Sequence, residues 1–493
     1  MARIVHLYPR FGPFGPVARV LKAICAKIQT PEGHGALCFT SPVSFAAVRT
    51  HALHPHRKQH VLVERDLGYR CVDVGDVRLY LVTYPVPKTP GVIGAWQNPG
   101  FGVSIRLAEK LLRDLDSLKE VDLEADLPPP STEYLPEREA HGKLRGRIAG
   151  LLRRAATDQE NARAESKDVF LYPTGTATIA AVDRTIQEYR PGSVVHLAAL
   201  DTSTSDRSTQ RAWGVFESWL DEEFAAGKGV SYVFAEFPNN PLLASIDIGR
   251  LGKLVSADFS AGSFANIDVL SEADILVSSL TNTVLNPLSP QYPALSSLWY
   301  ETYHNELYVG DAEVLLSNSD DYLPRTAILN RNAAAMAKHL RAHAKDPSTP
   351  VARVLYPSLL GDYEVYRAYL REPTPELPEP AAGCLMSVEL SSVAAARAFY
   401  DRLAFYPGPH LGAHRTLSFA YNLLAFSKHP DEAAYHRSYG ILEEVVRISA
   451  GLEDVQDLLD TLDDALVAAR EAKDRLAEGR RTMEAAAGPG FAA

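Results

Sequence analysis

From about Ser166 to Val277 the chain alternates short, wholly apolar runs with stretches of helical spacing. Val169-Phe-Leu171 ends at Pro173, and Thr176 to Tyr189 then carries Ile179, Val182 and Ile186 on one helical face. Further runs at Val194–Leu200, Val230–Phe234 and Ile275–Val277 read as strands buried on both faces. A continuous apolar run, unlike an alternating one, needs cover above and below, so it fits a mostly parallel sheet between helices. This limits the middle of the chain to an α/β layer.

The flanks are mixed. Val17, Val20, Leu21, Ile24 and Ile28 have helical spacing, and Val77 to Val82 reads as a buried strand. Val103, Leu107, Leu111, Leu115 and Leu118 fall on one face of an amphipathic stretch, followed by acidic residues and Pro128-Pro129-Pro130, which is linker chemistry. Beyond 330 come an Ala-rich helix (Asn330–His343), a strand (Cys384–Leu390), a helix that Ser392 can cap, a strand (Val445–Ser449) and a long helix from Leu452. The Ala- and Gly-rich tail from Gly479 is expected to fray. The expected units are an N-terminal α/β segment (1–125), a large domain (126–330), a small C-terminal α/β domain (331–478) and a tail (479–493).

Totals exclude one class of partner. With 493 residues, 46% of them apolar, the chain can bury a sizeable core. A net charge of -11 argues against nucleic-acid and anionic-membrane binding, which need clustered cations. A small anionic ligand remains possible, because it needs only a local pocket. Cys25, Cys38, Cys71 and Cys384 form no CxxC pair, so they read as reduced structural thiols, neither a disulfide framework nor a metal site. The N-terminus lacks the charged head and apolar core of a signal peptide, and no apolar run nears the ~20 residues of a membrane span. A cytoplasmic protein is expected.

Four elements could carry chemistry. Tyr172-Pro-Thr-Gly-Thr-Ala-Thr178 joins a strand to a helix; Gly175 and Thr176 place free amides and a positive dipole end where a phosphate could sit. Glu236-Phe-Pro-Asn-Asn-Pro241 follows a strand, at the kind of edge where open α/β sheets bind ligands. Ala257-Asp-Phe-Ser260 and Ala273-Asp-Ile-Leu-Val-Ser-Ser-Leu-Thr281, which runs into Asn282, complete the series. Each alone is also ordinary structure: a helix start, a proline-set turn, a capping aspartate, strand-end hydroxyls.

In this order they resemble the cystathionine γ-synthase family of pyridoxal-phosphate (PLP) enzymes, and its fungal branch most closely. That family shows a Gly-containing phosphate loop, a Glu-x-Pro-x-Asn-Pro turn, an aspartate for the cofactor ring and a Ser-x-Thr-Lys element. Tyr8-Pro-Arg10-Phe, Trp96-Gln97, Ser104-Ile-Arg106, Phe264-Ala-Asn-Ile-Asp-Val-Leu270 and Val446-Arg-Ile-Ser-Ala-Gly-Leu-Glu-Asp454 extend the resemblance over nearly the full length. It implies an α/β fold of PLP fold type I, aspartate-aminotransferase-like, with a large cofactor domain and a small C-terminal domain. It implies that Gly175, Thr176, Ser279 and Thr281 hold the phosphate and that Asp258 pairs with the ring nitrogen. By the same resemblance Arg447 and Asn240 bind the amino-acid substrate. Tyr8 and Arg10 would reach a neighbour's phosphate, which implies a homodimer or homotetramer. The reaction implied is trans-sulfuration, in which an activated homoserine exchanges its γ-substituent for cysteine.

The chain departs from the pattern at Asn282, where the family has its cofactor-binding lysine. An amide neither links the cofactor nor shuttles protons at neutral pH. Asn282-Thr283 then runs straight into Val284-Leu-Asn-Pro287, without the family's Gly/Ser-rich segment. The eleven positions from Asp247 to Asp258 look too few for a helix, a loop and a strand, and the polar run Asp201–Gln210 appears where a strand and helix are expected. No match is found for the family's ring-stacking aromatic, and His410-Leu-Gly412 stands in for Ser-Leu-Gly. Lys143, Lys167, Lys228 and Lys253 are the lysines of the cofactor half, and none matches the missing position. Two readings stay open: a trans-sulfuration enzyme, or a catalytically impaired relative or shortened gene product that binds PLP non-covalently or serves as a partner subunit.

Overall fold

The computed structural model describes residues 12–487 except 14, 55–59, 98, 123–133, 157–162, 198–206, 255–256, 262–263, 279–281 and 427–429. Among the described residues the chain builds three sheets in succession.

The first is antiparallel, in the order β1-β3-β2-β4, from β1 (His34–Phe39), β2 (Gly68–Val74), β3 (Val77–Pro85) and β4 (Lys119–Val121). Helices α1 (Gly15–Lys27) and α2 (Ile105–Arg113) cover one face of it. The expected stripes are the buried ones: Val17, Val20, Leu21 and Ile24 of α1 meet Leu107, Ala108 and Leu111 of α2. Each fully buried leucine of this kind contributes roughly 1.5–3 kcal/mol. The Ser104 hydroxyl caps α2 by accepting from Leu107 N at 3.1 Å.

The second sheet has six strands: β5 (Val169–Leu171), β6 (Ser193–Leu197), β7 (Val230–Phe237), β8 (Ala257–Ala261), β9 (Ile275–Ser278) and β10 (Asn282–Leu285). Its order is β5-β10-β9-β8-β7-β6. Strands β6 to β9 are mutually parallel, and β10 runs against both β9 and β5. Helix α3 (Gly175–Tyr189) follows β5, α4 (Arg207–Ala225) precedes β7, and α5 (Ile248–Leu254) precedes β8.

Helix α6 (Tyr322–Ala344) leads to the third sheet, which has the order β11-β12-β15-β14-β13. Its strands are β11 (Val351–Leu355), β12 (Leu385–Leu390), β13 (Tyr406–Pro407), β14 (Leu417–Ala420) and β15 (Val445–Ser449). Helices α7 (Val393–Arg402) and α8 (Val455–Ala487) pack on it.

Three expectations are corrected. The interval from Asp247 to Asp258 does hold both elements: α5 takes seven residues and β8 starts at Ala257, so Asp258 lies inside a strand. The run Asp201–Gln210 does not replace a helix, because α4 begins within it at Arg207. Of the expected buried strand at 194–200, the described part, 194–197, is not covered on both faces: β6 is the sheet's edge, and Ser193, Val194 and His196 are exposed. In the tail, α8 continues past Gly479 as far as Ala487.

Candidate active site at the sheet edge

Because β5, β7, β8 and β9 share a direction, their carboxyl ends open onto one edge of the second sheet. Asn282, the first residue of the antiparallel β10, returns to the same edge, opposite Leu171 and Ser278. The loop into α3, the head of β10 and the turn after β7 thus lie along one edge of the sheet.

At the first of these, Thr174 caps α3: its hydroxyl accepts from Ala177 N at 3.0 Å and donates to Gly100 O at 2.9 Å. A Cβ added at Gly175 would meet nothing within 4 Å, and Thr176 is exposed. The start of α3 is therefore open to an anion, as its glycine suggested.

Asn282 has the opposite character. It is fully buried, its Nδ2 donates to Ser278 Oγ at 2.9 Å, and its Oδ1 finds no partner among the described residues. Leaving such an oxygen unpaired costs about 1–3 kcal/mol. No sequence signal marked Asn282–Leu285 as a strand, although all four of its residues are buried.

Asp258 is level with Phe234 and Ile275, three residues short of the edge formed by Phe237, Ala261 and Ser278. At strand rise that is about 10 Å. Ser279 and Thr281, like Tyr8 and Arg10, lie outside the described residues.

Arg447 and Asn240 do meet. Arg447 lies on β15 between Ser387 of β12 and Phe419 of β14, and is 4% exposed. It donates to Asn240 Oδ1 at 3.0 Å and to Pro409 O at 2.7 Å, under the rings of Tyr421 and Phe419 at 5.3 and 5.7 Å. The turn that presents Asn240 is held from both sides. Asn239 Oδ1 accepts from Ala244 N, Glu236 Oε2 accepts from Asn240 N, and Ser387 Oγ donates to Pro241 O. Burial pushes the Glu236 carboxyl above its ordinary value, against the opposing backbone hydrogen bond from Asn240 and the Arg447 charge. Gly412, at φ +68°, donates to Ser449 Oγ at 3.0 Å and holds the His410 segment beside β15. The two rings were missed in the sequence; their signal would have been the pairing of 417–420 with the arginine strand.

The profile of the family described as Cys/Met metabolism PLP-dependent enzyme matches residues 324–467. An alanine racemase, ungC of Aspergillus violaceofuscus, is 30% identical over 454 aligned positions, covering 83% of this chain and 76% of that protein. The chain belongs to the Cys/Met metabolism PLP-dependent family. A cystathionine γ-synthase-like enzyme of Amanita muscaria, iboG2, is 29% identical, with 80% of this chain and 77% of its own covered. Cystathionine γ-lyase from yeast superposes with a TM-score of 0.51 at 20% identity, over 71% of this chain and 91% of that one. The fold is PLP fold type I.

Against the cofactor of this family, the residues present fit at one end and fail at the other. The open start of α3 suits a phosphate, while Asn282, the residue expected at the lysine position, is a buried amide with no amine to offer. Lys143, Lys167 and Lys228 are exposed and paired with Glu139, Glu165 and Glu223.

Proposed function

We propose that this chain is a catalytically impaired, cystathionine γ-synthase-like member of its family, one that holds a small amino-acid ligand without forming a covalent bond to PLP. The observation that carries this reading is Asn282, sealed at the head of β10 where the family's lysine would stand. PLP, when bound, supplies an electron sink for carbanion chemistry. What the chain's own residues supply is recognition. The α3 N-terminus, with Gly175 and Thr176, offers amides to the phosphate, and Ser279 and Thr281 are proposed to add hydroxyls. Arg447 presents a bidentate fork to a carboxylate beside Asn240. Asp258 is the partner proposed for the ring nitrogen, although β8 sets it back from the edge. Nothing described at position 282 can move a proton. Tyr8 and Arg10, reaching a neighbour, would make the working unit a homodimer or homotetramer, and a cytoplasmic location belongs to the same reading. Among the described residues no helix is long and apolar enough to cross a membrane.

The test is visible absorption of the purified chain with PLP, followed by borohydride reduction and peptide mapping. The expected result is reversible binding and no lysine adduct. An adduct on one lysine would overturn the proposal in favour of an active trans-sulfuration enzyme, for which the iboG2 and ungC likenesses leave the reaction type open.

A further inference from the structure

Helices α6 and α8 bring together three side chains outside the site described above. His339 and His343 stand one turn apart on α6, their ring centroids 5.1 Å apart at 66°. From α8, Asp463 Oδ1 lies 2.6 Å from His339 Nε2 and 3.8 Å from His343 Nε2. All three ligand atoms fall within 4.8 Å of one another. Around a tetrahedral zinc, with bonds of 2.0–2.2 Å, neighbouring ligand atoms are about 3.3 Å apart. The two separations here bracket that value, and small rotations would equalise them. Two histidines at i and i+4 of one helix are a spacing that zinc proteins use.

The neighbouring charges separate the roles of the two adjacent aspartates. The next residue, Asp464, faces α7, where Arg402 holds it with hydrogen bonds of 2.7 and 2.8 Å. Asp463 faces α6 and meets the two imidazoles. One carboxylate can accept from both rings only when both carry the proton on Nε2, whereas a divalent cation satisfies all three groups at once. Arg470 and Asp346 stand nearby with opposite signs. The side chains are 26%, 29% and 53% exposed, so an ion could enter from solvent and keep water in its remaining position.

We infer that His339, His343 and Asp463 form a binding site for a zinc-class divalent transition metal that clamps α6 to α8. The bound ion takes one nitrogen from each ring and an oxygen from the carboxylate, and it fastens the final helix to the rest of the small domain.

The full-length chain, stripped with chelator, is titrated with Zn²⁺ by calorimetry, and its Tm is read with and without the ion. One equivalent should bind, with a rise in Tm of several degrees. His343→Gln and Asp463→Asn, both mild surface changes, should each weaken binding at least tenfold and abolish the Tm rise while leaving the metal-free Tm within a few degrees. Failure to bind Zn²⁺, or binding unchanged in both variants, would overturn the inference and leave His339–Asp463 as a simple interhelical hydrogen bond.

Discussion

Glu236 shows how much a single residue at the site depends on its surroundings. Its carboxylate accepts the amide of Asn240, which favours the charged form, yet burial outweighs this and raises its pKa. A carboxyl raised on folding binds more protons in the folded than in the unfolded chain. Its stabilising contribution is therefore complete below the unfolded value, about 4.5, and is lost as pH rises through the folded value. Glu236→Gln removes this titration. The urea midpoint of the parent should fall relative to that of the variant as pH rises above 4.5; parallel curves for the two proteins would refute the assignment. Asn282 is the complementary case. A neutral amide can be sealed into the sheet with one hydrogen bond unmade, whereas a lysine there would need either an open cavity or a deprotonated amine.

At the scale of elements, local signals of different kinds varied in how well they could be read. Periodicity over ten or more residues, as in α1 and α3, depends on one face meeting a core, and the structure buries those same faces. Caps were legible because their chemistry is local. The Ser392 hydroxyl accepts from Ala395 N at 3.2 Å at the start of α7. Ser392→Ala should cost about 1 kcal/mol in chemical denaturation, and a neutral result would mean that tertiary packing alone sets this helix start. Strand β10 was not legible: four residues give too short a pattern, and their pairing with β5 spans more than a hundred positions. For the same reason Asp258 was expected after a strand rather than within one. A seven-residue α5 leaves room that average element lengths did not suggest. The site itself was half legible. The series of motifs named Arg447 and Asn240, but their contact arises only because β15 is carried against the loop after β7.

At the scale of the molecule, one side chain that no motif marked ties distant segments together. Arg371 is wholly buried and donates to the carbonyls of Leu152, Arg154, Phe264 and Ile267, with Asp268 at 3.5 Å. Arg371→Met keeps the length and removes every donor, stranding those oxygens; the expected loss is about 3–5 kcal/mol by denaturant unfolding. A change under about 1 kcal/mol would show that water replaces the guanidinium. Helix α6 acts on a similar span. Asn330 exchanges two hydrogen bonds with Asn266 beside the second sheet, and Asn332, half a turn on, donates to Gly451 and Glu453 beyond the third. Both bodies are thus keyed to one rigid axle within a single turn. An axle of that kind ties the two sheets to a common support, so the Arg447–Asn240 contact is already in place in the ligand-free chain, and under the proposed function the carboxylate would meet a preassembled socket.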